Sequence, residues 1–152
     1  MVTWAEFAAA APEIASEGTR LLYAMGGGKA LLATVRGDDT PRIHPITVAI
    51  VGERLYAFII ARSPKKLDLE LDGRYALHTH MDQAAPNEFA LRGRARLVDD
   101  PDERGRVATG WAFEVDDSYT LFEFSIENAV LGARATADAW PPIYTSWRAT
   151  GS

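Results

Sequence analysis

The chemistry this chain could do is concentrated in two short segments. Arg62-Ser63-Pro64-Lys65-Lys66 places a hydroxyl, a proline and three cations at one helix start. Ser63 is a natural N-cap, and Pro64 fits the first helical position, where its missing N–H costs nothing. The free amide groups of that turn carry the positive end of the helix dipole. Basic residues there oppose the dipole unless an anion offsets them. An anion site and a capped surface helix with solvated lysines explain this segment equally well. The second segment is Arg42-Ile43-His44-Pro45-Ile46. Arg42 and His44 share one strand face by period-two alternation, and Pro45 removes a ladder donor. This strand therefore belongs at a sheet edge or is distorted there, with backbone groups free for a flat, polar-edged ligand. Taken alone, it reads as an ordinary edge strand with one exposed Arg.

Other chemistries are thinly supplied. His78-Thr79-His80 puts two imidazoles on one strand face, but no third ligand is nearby and no metal site is expected. Adjacent acids among Asp99, Asp100, Asp102, Asp116 and Asp117 lack the central Gly and terminal Glu of a calcium loop. The absence of Cys excludes disulfides, thiol catalysis and cysteine-bound metal.

The elements that must position these segments follow from periodicity and punctuation. Thr3-Trp4-Ala5-Glu6 fits a capping box, and Pro12 opens a second helix to about Ala24, ended by Gly26-Gly27-Gly28. Strands are expected at 30–35, 42–51 and 54–61, with Gly52-Glu53 as a hairpin turn. A helix opened by Ser63 and closed at Asp72-Gly73 precedes strands at 74–81 and 87–98, joined through 82–86. Asp99 to Glu103 is an acidic helix start, and strands at 119–125 and 130–134 follow. The aromatic tail, 140–152, reads as irregular. Hairpin-linked strands with helices between them imply a mainly β fold, a six- to seven-stranded antiparallel barrel with peripheral helices.

At 152 residues, 47 % hydrophobic and 24 % charged, the chain suits one domain over 1–152, with N-terminal helices in 1–25. A net charge of −5 argues against nucleic acid as a partner. No stretch reaches the ~18 apolar residues of a membrane span, and the N-terminus lacks the basic start and apolar run of a signal peptide. A cytoplasmic protein that does not engage membranes is expected.

In order along the chain, ALLATV…TPRIHPI, RLYAFII, SPKKLDLELDGRYAL and NEFALRGRARLV resemble the FMN-binding split barrels of the pyridoxamine 5′-phosphate oxidase-like superfamily. The resemblance runs from about Gly28 to Val98. It implies a homodimer with two flavin sites at the subunit interface and a flavin-dependent oxidoreductase acting on a small molecule. FMN would set its phosphate on Ser63, Lys65 and Arg42, with Lys66 near the same anion site. Its ring would lie against Ile43, His44, Pro45 and Ile46 and against Phe58 and Ile59. The partner would add residues around Asn87 and Glu88, and Trp147 of the tail would cover the ring. No catalytic residue is implied, because hydride transfer needs no dedicated acid or base. The resemblance stops short of the C-terminal Arg and His residues with which true pyridoxamine phosphate oxidases clamp substrate phosphate; no His follows His80. Split barrels of this kind also bind the deazaflavin F420 or haem. F420, with its long polar tail, would call on Lys29, Arg62 and Lys66, and a non-catalytic flavin or haem carrier is a further alternative.

Overall fold

The computed structural model describes residues 1–81, 83–84 and 86–151; within the expected 82–86 connection, Asp82 and Ala85 lie outside the described residues. Helices α1 (Trp4–Ala10) and α2 (Pro12–Leu22) come first, then strands β1 (Lys29–Val35), β2 (Pro41–Thr47), β3 (Ala49–Val51) and β4 (Arg54–Ile60). Helix α3 (Pro64–Leu71) leads to β5 (Arg74–Thr79) and β6 (Glu88–Leu97). Helix α4 (Pro101–Thr109), β7 (Tyr119–Phe124), β8 (Asn128–Ala133) and β9 (Ile143–Arg148) complete the chain.

Pairing is antiparallel in the order β2-β1-β5-β6-β7-β4-β3, with β8 and β9 branching from β6. Because β3 continues β2 directly, the sheet curls back on itself as a split barrel. The expected single strand at 42–51 therefore breaks in two. Its pivot is Val48, which is buried and donates its N–H to the Gly28 carbonyl at 2.7 Å. A Cβ on Gly28 would overlap the Val48 carbonyl, so this crossing requires glycine. The first half of the bent strand pairs with β1 and the second half with β4. The Gly52-Glu53 turn has φ of 55° and 69°, the left-handed pair of a type I′ hairpin.

Alternation builds the core. Ala30 and Leu32 of β1 point inward with Leu77, Phe89, Leu91, Phe122 and Phe124, while Leu31 and Ala33 face out. Strand β4 is buried on both faces: Leu55, Ala57 and Ile59 enter the main core, and Tyr56 and Phe58 enter a second cluster with Val107 and Trp111 under α4. The N-terminal helices close one end. Thr3 and Glu6 form the expected capping box, and Gly18 lets α2 settle on Phe89, whose ring a Cβ would enter.

The tail is a correction to the sequence reading. Residues 143–148 form β9 along β8 rather than an irregular segment. Five of its six side chains are exposed, so no apolar alternation announces it. Backbone pairing makes this strand, and only Trp147 turns inward, 5.2 Å from the Phe7 ring centroid.

An ion network under α4, centred on one buried acid, also escapes periodicity. Glu123 is fully buried on β7 and is bound by Arg54 at 3.0 Å and by Arg96. Arg96 continues to Glu103 at 2.9 Å, and Glu103 accepts from the Tyr56 hydroxyl at 2.7 Å. Burial, together with the Glu103 carboxylate, pushes the Tyr56 hydroxyl above its ordinary range.

Candidate functional site

Strand β2 ends the ladder, so one edge of residues 41–47 carries no strand among those described. Pro45 therefore loses no ladder bond, as its position in the sequence requires. The β3–β4 ladder stops at Tyr56, which leaves residues 57–60 paired to β7 alone. Two open edges thus flank the split, and α3 contacts the strands on either side, β1 and β4.

Alternation sends Arg42 and His44 to one face of β2, and both are half-buried. Two buried residues that the sequence reading missed hold them there. Asp68 of α3, 2 % exposed, accepts from Arg42 Nη2 at 3.1 Å and from Thr34 Oγ1 of β1 at 2.7 Å. Thr34 Oγ1 in turn lies 3.1 Å from His44 Nε2. The signal in the sequence was faint: a polar residue on the inward face of β1, and an acid three residues beyond Lys65 on the same face of α3.

Ser63 is the N-cap of α3, and its hydroxyl makes no capping bond. Lys65 is half-buried, and desolvation holds its ammonium below the ordinary lysine range. Its charge reaches His44: burial first, then Lys65 and Arg42, lower the imidazole against the opposing pull of Asp68. Lys66 is committed elsewhere, to Glu70 one turn on at 2.6 Å. Arg42 Nε is buried without a hydrogen-bond partner; it lies 3.1 Å from Asp68 Oδ2 but off the line of a hydrogen bond. The Ser63 hydroxyl and the Lys65 ammonium suit a phosphate group, and Arg42, though paired with Asp68, adds positive charge to the same setting.

The remaining predicted residues scatter. Ile46 is core, while Ile43 and Pro45 face outward. Phe58 packs on Trp111 and Ile59 lies in the main core, so only their backbone reaches the split. Asn87 and Glu88 stand at the start of β6. Asn87 bridges Glu17 and the Arg134 amide, and Glu88 accepts from Tyr144 at 2.9 Å. Within the chain, then, Arg42, His44 and Lys65 come together around Asp68, with Ser63 at the start of the same helix α3, and Asn87, Glu88 and Trp147 do not join them.

The outward face of β1, β2, β5, β6 and β8 is apolar. Leu31, Ala33, Ile43, Ala76, Ala90 and Val130 line an open hollow of about 470 Å³ bordered by Arg92 and Asn128. His78 lies on this face, its Nδ1 2.6 Å from the Thr79 carbonyl, and His80 falls beyond the end of β5.

No family model and no curated protein matches the chain. Solved structures do. A pyridoxamine 5′-phosphate oxidase-like protein from Listeria innocua superposes with a TM-score of 0.61 at 18 % identity, over 75 % of this chain and 94 % of its own. A NimC/NimA family protein from Clostridium acetobutylicum gives 0.62 at 15 % identity, over 85 % and 91 %. HutZ, the haem storage protein of Vibrio cholerae, gives 0.60 at 19 % identity, over 77 % and 89 %. The chain has the split-barrel fold that these proteins share. No described helix is long and apolar enough to cross a membrane.

Proposed function

We propose that the chain binds FMN and acts as a flavin-dependent oxidoreductase on a small molecule, as a homodimer. One observation carries the reading. Beside an open sheet edge, Ser63 offers an uncapped hydroxyl and Lys65 an ammonium without an acidic partner among the described residues, and Arg42, held in place by Asp68, adds guanidinium charge. A phosphate there would draw on charge-assisted bonds from Lys65 and Arg42 and on the α3 amide groups. Asp68 positions Arg42, and the open edges at 41–47 and 57–60 supply backbone donors and acceptors to the rim of a flat ring. When bound, FMN would supply hydride transfer; the chain binds, orients and keeps water from it.

The dimer rests on the apolar outer face. An exposed hollow lined by Leu31, Ile43 and Val130 is the kind of surface a partner covers. Such a partner would bring its own Asn87, Glu88 and Trp147 regions to the site, as the resemblance implies. F420 on the same fold, with Lys29, Arg62 and Lys66 along the groove, is the alternative enzyme reading. A haem carrier is the other, favoured by the likeness to HutZ. The absorption spectrum of the purified protein, before and after adding FMN, separates them: flavin bands support the proposal, and a Soret band replaces it with haem.

A further inference from the structure

The chain Asp68–Thr34–His44 fixes where one proton sits. Thr34 has a single hydroxyl hydrogen, and it is given to the Asp68 carboxylate, which Arg42 pairs on its other oxygen. Thr34 Oγ1 is left with only lone pairs toward His44, so the 3.1 Å contact requires Nε2 to carry the hydrogen. The neutral ring then presents a bare lone pair at Nδ1. No hydrogen bond to that atom is found among the described residues, and the ring is half-buried rather than enclosed. Arg42 and Lys65 both act electrostatically on this half-buried ring.

We infer that His44 is a proton-linked ligand of the phosphate: on docking of a dianion beside Lys65 and Arg42, the ring takes one proton from solvent at Nδ1 and donates it to a phosphate oxygen. The inference rests on the proposed phosphate site. The balance is one proton gained by the imidazole and one Nδ1–H···O bond formed, with Nε2–H held throughout by Thr34. The groups facing the ring are Arg42 from its own strand, the Thr34 hydroxyl from β1, and Lys65 and Asp68 from α3. In the free protein, burial and the two cations favour the neutral ring. A dianion offsets the same two cations and reverses that preference, so phosphate and proton promote each other's binding. A ligand without phosphate gains nothing from His44, which makes the residue a selector for phosphorylated over unphosphorylated ligands.

The test is the ring itself, followed by nitrogen-resolved NMR through a pH titration. The chain has three histidines, so His44→Gln identifies the signal. The free protein should show an Nε2–H tautomer titrating below the ordinary imidazole range, and Thr34→Val should mix the tautomers. Saturating FMN should raise the titration point by at least one pH unit and protonate Nδ1, while riboflavin leaves both unchanged. FMN binding that leaves His44 unmoved overturns the inference and spares the FMN reading. No FMN binding, with the same upward shift produced by inorganic phosphate, spares the inference and overturns the FMN reading. If neither FMN nor phosphate moves the ring, both fall.

Discussion

Arg42 and Asp68 face each other across β2 and α3, with Arg42 Nη2 donating to Asp68 Oδ1 at 3.1 Å and the carboxylate almost wholly buried. The same carboxylate takes the Thr34 hydroxyl, so one acid ties strand, strand and helix together at the site. Removing it leaves a guanidinium and a buried hydroxyl without their acceptor. Asp68→Ala should cost about 2–4 kcal/mol in urea unfolding, and Asp68→Asn clearly less, because the amide oxygen keeps one acceptor. Equal, small losses in both variants would mean that the ion pair holds nothing.

His44 links this arrangement to acid stability. Burial, Lys65 and Arg42 hold its folded pKa below the unfolded value. The unfolded chain then binds more protons, so stability rises with pH through this window and falls as pH drops below the ordinary imidazole value of ~6.5. His44→Gln removes that component. Thermal melts from pH 7 to 5 should show wild type losing more stability than the variant. Parallel curves would place His44 in an unperturbed setting.

The barrel was legible because hydrophobic period and turn chemistry agree there. Thr3 with Glu6, Pro12, Gly52-Glu53, Ser63-Pro64 and the alternation of 30–35 all mark what the structure contains. Pro45 marked β2 as an edge. Other features depend on contacts distant in sequence and leave no local trace. The break at Val48 is set by Gly28, twenty residues earlier. Strand β9 is set by pairing with β8, and Asp68 meets Thr34 across 34 positions. At the site, the cations were legible and the buried acid that positions Arg42 was not.

Trp147 separates packing from ligand contact. Its ring lies against Phe7 and the main core in the isolated chain. Trp147→Ala should lower stability by about 2 kcal/mol through lost contact and a partial cavity. FMN affinity measured on the folded variant should change little if packing is its whole role. A tenfold loss of affinity without loss of stability would instead assign the ring to the flavin.

The outer hollow bears on assembly. Ile43 is 69 % exposed at its rim, and the proposed dimer covers it. Ile43→Glu should shift sedimentation toward the ~17 kDa monomer, since a buried unpaired carboxylate costs several kcal/mol at an interface. Wild-type chain that sediments as a monomer at micromolar concentration would contradict the dimer outright.

The phosphate anchor is tested most directly by titrating FMN and riboflavin into wild type and Lys65→Ala. Lys65 has no acidic partner among the described residues, so its removal breaks no ion pair of the fold. A charge-assisted bond to phosphate contributes ~1.5–3 kcal/mol, so FMN should bind roughly tenfold to a hundredfold more weakly to the variant. Riboflavin, which lacks the phosphate, should bind both proteins alike. Equal losses for the two flavins would make Lys65 a structural residue, and no loss for either would place the anion elsewhere on the molecule.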